Sequence, residues 1–544
     1  MGDAARQTLA DDTENTFRNH AHGDGPLVNT FSRSTNSHRL STAVAMTIGI
    51  AVAVYHLVLS MLPGYGFFID EFYYLACTKH LAFGYVDHPP LSIALLAGVR
   101  AIFGDGLTAV RLVPSIALGA TVVLTGLITR RLGGSTLAVV IACLGVAAMP
   151  VFLVMGSFYS MNALEILVVA AILHVVVRML DEHEPRYWVL IGVLMGLGLE
   201  LKHTMGVYAA ALALGILMGP DRKLLWNRWV LYGGACAAVL ILPNLLWQAM
   251  NGFPSLEFYR NAMVNKNIPR SPAGILIDQT IFVNPFSIPV WLGGLGFLLF
   301  GPAGRKYRSL GLAYLVLFAV MVVSQSSRPD RIAAFYPMLF AAGAVMIGSV
   351  VGRLPRRVIA GGVIVLLLAG FGLAAPVFSP LLSPERTNSL LTSLGVSLSI
   401  ESGKTQDPLP QWLGDRLGWE ELAREVGKVY RNLPPEEQRT TVIVSNNYGE
   451  AGALELYGPR YGLPRVYATH NSYHAWGPPP DSIRTFIAVM VGKRDLERLF
   501  ENVEEAGVQT CAFCTRPQQR IPIYVARRPR FLISKAWMGF RIYS

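Results

Sequence analysis

The sequence predicts an α-helical polytopic membrane protein of about eleven transmembrane helices, with a C-terminal extracytoplasmic α/β domain. Three observations carry this reading. The 544 residues are 52% hydrophobic and only 15% charged, whereas a soluble domain carries about 25% charged residues. Apolar runs of near-spanning length recur up to residue 378 and then stop. Basic residues fall between those runs in a regular alternation.

Residues 1–40 are polar, with Asp11, Asp12 and Glu14 and no apolar core, so they read as a disordered cytoplasmic tail rather than a signal peptide. A span needs about 20 mostly apolar residues. The candidates are 42–62, 108–129, 136–155, 160–180, 187–200, 204–219, 229–249, 280–301, 309–325, 332–351 and 358–378. The fifth and sixth are short and read as tilted spans or as a hairpin. With the N-terminus cytoplasmic, Arg130, Arg131, Arg178, Arg186, Arg222, Lys223, Arg228, Arg305, Lys306, Arg308, Arg353, Arg356 and Arg357 all fall inside. That orientation puts 63–107, 250–279, 326–331 and everything after 379 on the outer face. The transmembrane domain is thus 41–379, with a first outer loop at 63–107. Segment 91–103 is apolar but too short to span and reads as a helix along the outer surface.

From 380 to 544 the character changes. TVIVSNNYGEAGALELYG reads as strand, turn and helix, PDSIRTFIAVMVG as a strand, and IPIYVARRP as an edge strand. The net charge of +11 forms no stripe, which argues against nucleic acid and for membrane lipids as the surroundings. Cys77, Cys143 and Cys236 read as small core residues. Cys511 and Cys514, a lone C-x-x-C, read as a local disulfide or two free thiols, since zinc would want a second pair.

Asp70 and Glu71 are adjacent acids at the membrane edge, among Phe67, Phe68, Phe72, Tyr73 and Tyr74. Acids so close to hydrocarbon are costly and usually functional, and a carboxylate there can act as a base. Asp70 could equally cap a helix over 71–82. In Asp87–His88–Pro89–Pro90 the prolines hold His88 near the interface, where it could meet a phosphate or be structural. Asn162 and Glu165 share one helix face at the outer end of a span. Glu200, Lys202 and His203 interrupt apolar sequence, and Lys202 wants an anion, either Glu200 or a lipid phosphate. Arg111, Arg260, Lys266, Arg270, Arg328 and Arg331 add outward positive charge, as an anionic headgroup would require. No Walker A loop, H-E-x-x-H or nucleophile elbow occurs, which excludes ATP, metalloprotease and hydrolase motifs.

The run IDEFYYLACTKHLAFGYVDHPPLSIALLAGVRAIFGDGLTAVRLVPSIALGA resembles the first external loop of GT-C glycosyltransferases of family 39, the protein O-mannosyltransferase-like and aminoarabinose-transferase-like group. GLGLELKHTMGVY, PNLLWQAMNGFPSLEFYRN and SNNYGEAGALELYGPRYGLP support it, more weakly. The resemblance implies an inverting transferase that moves a sugar from a polyprenyl-phosphate donor to an acceptor hydroxyl or phosphate at the outer face of the cell membrane. It implies Asp70 as catalytic base, Glu71 as the second acid of the pair, and His88 and Lys202 as donor-phosphate ligands. His203, Arg111, Arg270 and Arg331 are further phosphate-ligand candidates by their own position and charge. The chain departs from the family at the fourth span, where an Asp is expected. Asn162 takes that position, and either Glu165 three residues later supplies the acid or none does. No cofactor is expected, and a divalent metal is left open. The acceptor, whether protein, lipid or cell-envelope glycan, is not legible. A rival reading is a transporter or lipid flippase using Asp70, Glu165 and Lys202. It predicts broken helices and internal repeats, neither of which the sequence displays.

Overall fold

The computed structural model describes residues 27–326, 328–350, 353–398 and 407–544. Its first helix, Leu27–Met61, begins inside the stretch read as a tail, while residues 1–26 lie outside the described ones. Among the described residues seven helices are long and apolar enough to span: His38–Met61, Leu107–Arg131, Met161–Glu182, Arg228–Met250, Arg305–Val323, Pro329–Gly348 and Arg357–Phe378. Up to eight result if one bent pair counts as a single span.

The expected eleven therefore shrinks, for local reasons. The fifth and sixth candidates are Tyr187–Leu199 and Met205–Met218, of 13 and 14 residues. At 1.5 Å per residue the longer rises about 21 Å, short of a core about 30 Å thick. The third candidate is divided into Thr136–Ala147 and Pro150–Met155, because Pro150 has no N–H to continue the ladder. The eighth, 280–301, crosses a 94° bend between Pro272–Val283 and Pro285–Phe300. At the bend Asn284 has φ +88°, and its side chain accepts the Phe286 N–H at 3.0 Å. The chain thus does contain a broken helix. Leu91–Phe103 forms the short apolar helix expected, with Leu95, Ile102 and Phe103 exposed along it.

The C-terminal part is an α/β domain, as expected, with a five-stranded sheet. Its strands are β1 (Thr441–Ser445), β2 (Val466–Ala468), β3 (Thr485–Val489), β4 (Phe500–Thr510) and β5 (Arg520–Pro529), in the order β2-β1-β3-β5-β4. β1 runs parallel to β2 and β3, while β5 lies antiparallel to β3 and β4. The segment read as an edge strand is therefore interior. Its prolines tolerate this because β3 pairs only with 523–527, leaving Pro522 and Pro529 outside that ladder. The edge on that side, β4, carries Glu501, Glu504 and Glu505, and its charge hid it from a hydrophobic-pattern reading. Cys511 and Cys514 form a disulfide just beyond it.

Candidate functional site

The helix Ile69–Cys77 opens the site. Glu71, at its third position, accepts the Phe68 N–H at 2.7 Å and so caps the first turn, a place where the helix dipole also favours an acid. The capping acid is thus Glu71, so the alternative reading of Asp70 as the helix cap does not apply. Glu71 also accepts the Tyr159 N–H at 2.7 Å and both Nε and Nη2 of Arg111, at 3.1 and 2.8 Å. Glu71 and Arg111 are 0% and 1% exposed. Arg111 gives a further bond to the Gly66 carbonyl at 2.8 Å. Glu71, expected as the second acid beside Asp70, and Arg111, expected as a phosphate ligand, are thus buried against each other.

Asp70 keeps partial exposure and accepts the Tyr448 phenol O–H at 2.8 Å. Tyr448 comes from the C-terminal domain, at the start of the helix Tyr448–Tyr457, which Asn447 caps through the Gly449 N–H at 2.8 Å. Burial, and then the charge of Asp70, hold the Tyr448 phenol well above its ordinary pKa, so it stays a donor. The two helices approach closely at Gly449 and Gly452. A Cβ on Gly449 would lie 2.2 Å from the Ile69 side chain, and one on Gly452 2.8 Å from the Phe72 backbone.

Asp87 accepts the Tyr73 O–H at 2.8 Å and acts electrostatically on Tyr74 and Tyr448, as Asp70 does. The sequence reading quoted Asp87 beside His88 without assigning it a role. His88 is buried, with Tyr73, Tyr74 and Tyr85 ringed around it at 4.8–5.8 Å. Its Nδ1 stands 3.0 Å from the Pro89 carbonyl. Its Nε2 has no hydrogen-bond partner among the described residues and lies 3.8 Å from Asp87 Oδ1.

A second cluster gathers on the helix Met161–Glu182. Ser160 caps it, and its first turn turns Asn162 and Glu165 to one face. Lys202 Nζ donates to Asn162 Oδ1 at 2.7 Å and to Glu165 Oε2 at 2.8 Å, and Thr204 donates to the other Glu165 oxygen at 2.7 Å. The anion beside Lys202 is therefore Glu165 and not Glu200. His203 sits between the Tyr259 hydroxyl and Asn244 Oδ1, 3.0 Å from each. Tyr259 feels both Asp87 and Glu165, and His203 feels His88, so the two clusters adjoin. Asp330 lies in electrostatic reach of Lys202, Arg328 and Arg331. The Arg331 guanidinium rests against the Met263 sulfur at 3.7 Å. Arg270 pairs with Asp278 at 3.1 Å.

Chemically, the first cluster offers a carboxylate to a proton and the second offers cations and donors to an anion. Sequence reasoning missed Tyr448 and Tyr259, and only the neighbourhood of His88 hinted at Asp87. Among the described residues no group of three or more His, Cys, Asp or Glu converges to hold a metal.

A family model described as dolichyl-phosphate-mannose-protein mannosyltransferase matches residues 87–247. The undecaprenyl phosphate-alpha-4-amino-4-deoxy-L-arabinose arabinosyl transferase 1 of Pseudomonas fluorescens (strain Pf0-1) is 25% identical over 413 residues, covering 68% of this chain and 71% of that protein. The crystal structure of ArnT from Cupriavidus metallidurans bound to undecaprenyl phosphate has a TM-score of 0.57 at 14% identity, over 88% of this chain and 97% of that one. The apo oligosaccharyltransferase of Archaeoglobus fulgidus has a TM-score of 0.51 at 12% identity, over 79% and 64%. These two structures share the fold. The family model and the sequence relative both describe sugar transferases named for a polyprenyl-phosphate-linked donor, and the similarity of the chain to them supports a membrane glycosyltransferase.

Proposed function

We propose that the protein moves a sugar from a polyprenyl-phosphate donor to an acceptor at the outer face of the cell membrane, by a single inverting displacement with Asp70 as the base. The carrying observation is the contrast in burial between two adjacent acids: Glu71 is fully enclosed in its pair with Arg111, while Asp70 keeps partial exposure beside the Tyr448 phenol. In this reading Asp70 accepts the proton of the acceptor hydroxyl as its oxygen attacks the anomeric carbon. The bond from that carbon to the phosphate oxygen breaks, and the lipid phosphate leaves with the electron pair. That leaving group needs charge stabilisation more than a proton, and Lys202, His88, His203 and Arg331 are the groups placed to supply it. Glu71 and Arg111 act as positioning residues, fixing the first turn on which Asp70 stands.

The donor class is supported by the undecaprenyl-phosphate-linked sugar for which the arabinosyl transferase relative is named and by the undecaprenyl phosphate bound in the ArnT structure. The outward placement of the C-terminal domain, with the N-terminus cytoplasmic, is supported by the thirteen basic residues of the opposite connections and by the Cys511–Cys514 disulfide, a bond that persists outside the reducing cytosol. The acceptor remains a choice among protein, lipid and envelope glycan. The bend at Asn284 is a feature that a transporter would share, and the same assay reads that alternative as lipid movement without a glycosylated product.

The test uses purified wild type and Asp70→Asn with a radiolabelled polyprenyl-phosphate sugar. Removing a general base is expected to slow transfer by about 10²–10⁴-fold. Equal transfer by both proteins refutes the assignment of the base. Mass spectrometry of lipids that co-purify with the protein identifies the sugar.

A further inference from the structure

A cavity of about 310 Å³ lies where the end of the Ile69–Cys77 helix meets the C-terminal domain, away from both clusters described above. Its size is at the low end of ligand pockets, about 300–1,000 Å³. The transmembrane part contributes Lys79 and His80, and the C-terminal domain contributes Glu455, Arg465, Tyr467, Tyr473 and Trp476. The wall is preorganised. His80 stacks on Trp476 with ring centroids 4.2 Å apart and planes 18° from parallel, and Tyr473 adjoins the same indole at 4.6 Å. Glu455 is committed within the wall, accepting from Lys79 and from the Tyr473 hydroxyl, each at 2.7 Å. That pairing neutralises Lys79.

Arg465 is left over. It is exposed, stands over the Tyr467 ring at 5.0 Å, and its side chain makes no hydrogen bond or ion pair among the described residues. An aromatic wall suits the apolar face of a pyranose ring, and a planar guanidinium suits a carboxylate or phosphate. The cavity shares an element with the Asp70 site: Lys79 and His80 follow directly on the helix that begins beside Asp70, whose seven-residue rise from Asp70 to Cys77 is about 10 Å. Tyr73, which bonds Asp87, packs on the cavity-lining Tyr473 with centroids 6.3 Å apart.

We propose that this cavity binds an anionic sugar unit of the acceptor, a pyranose bearing a carboxylate or a phosphate, held by Trp476 and Arg465 while a more distant unit of the same acceptor presents its hydroxyl to Asp70. The proposal rests on the transferase reading with Asp70 as base. It narrows the acceptor to a charged glycan or glycolipid that reaches across the seam between the two domains.

The experiment titrates the purified full chain in detergent with glucuronic acid, glucose 6-phosphate and glucose, read by calorimetry, for wild type, Arg465→Ala, Trp476→Ala and Asp70→Asn. Either anionic sugar is expected to bind at least about tenfold more tightly than glucose, as one charge-assisted contact would give. Whether glucuronic acid or glucose 6-phosphate binds better identifies the anion. Arg465→Ala and Trp476→Ala are expected to weaken binding about tenfold each, and Asp70→Asn to leave it unchanged. Glucose binding as tightly as the anionic sugars, unchanged binding in Arg465→Ala and Trp476→Ala, or no saturable binding of any sugar overturns the proposal. Because Asp70→Asn is scored separately for transfer, loss of transfer alongside unaltered sugar binding in the Arg465 variant refutes the cavity and leaves the catalytic reading standing.

Discussion

Glu71 and Arg111 are each almost wholly enclosed, and each supplies the counter-charge of the other. Breaking such a pair from one side leaves a buried charge without compensation, which costs about 3–5 kcal/mol. Glu71→Gln is therefore expected to lower the thermal midpoint in detergent markedly. Glu71→Gln with Arg111→Met is expected to recover part of that loss, a pattern that a catalytic role for Glu71 would not produce. Tyr448 poses the opposite case. Tyr448→Phe keeps the ring and removes one hydrogen bond to a charged group, about 1.5–3 kcal/mol. It is expected to slow transfer by about tenfold or more, while the thermal midpoint moves far less than in Glu71→Gln. Unchanged transfer would separate Tyr448 from the work of Asp70. The signal for Glu71 was present in the sequence as an acid three positions after Phe68, but its partner Arg111 lies 40 residues away and carries no mark distinguishing it from a solvated cation.

Between elements, the decisive contact is the packing of Tyr448–Tyr457 on Ile69–Cys77. Gly449 and Gly452 lie three residues apart, on one face, and let the helices approach until Gly452 meets the Phe72 backbone. Gly452→Ala inserts a methyl where backbone must move, and overpacking of this kind costs about 1–3 kcal/mol. The variant is expected to unfold at lower temperature and to lose transfer, because the shift carries Tyr448 away from Asp70. Full transfer in a folded Gly452→Ala protein would show that this seam does not set the site. The helix and β1 before it were legible from TVIVSNNYGEAGALELYG, but the reason for its two glycines was not, since it lies in another domain. The short helices Tyr187–Leu199 and Met205–Met218 were legible as apolar segments. Their failure to reach spanning length follows from where the chain breaks at Glu200–Thr204, around the lysine that pairs with Glu165.

For the molecule as a whole, the C-terminal domain completes the site rather than standing over it, and this makes its acid stability relevant to activity. His470 accepts the Tyr448 N–H at Nδ1, 3.4 Å away, and its Nε2 lies 2.9 Å from the Ser544 main-chain oxygen. Burial, partly offset by that bond to Ser544, lowers its pKa to about 4 from 6.5. A base with a depressed folded pKa binds its proton later in the folded state than in the unfolded one. Its contribution to stability is therefore present above pH 6.5 and is lost as pH falls toward about 4. The thermal midpoint of wild type is expected to fall over that window more steeply than that of His470→Gln. Parallel curves would remove His470 from the acid response.

The sequence by itself determined the membrane class, the alternation of basic connections, the change to an α/β domain after residue 379 and the clustering of unusual charges near Asp70, Asn162, Glu165 and Lys202. All of these are carried by local hydropathy, spacing and charge. Only the tertiary structure decided which of two adjacent acids is fully buried and which keeps partial exposure. It also decided that Lys202 faces Glu165, and that Asp70 meets a phenol 378 residues along the chain. The physical reason is that burial and hydrogen bonding, which fix what a carboxylate can do, depend on neighbours brought by other elements, and no local pattern of residues records them.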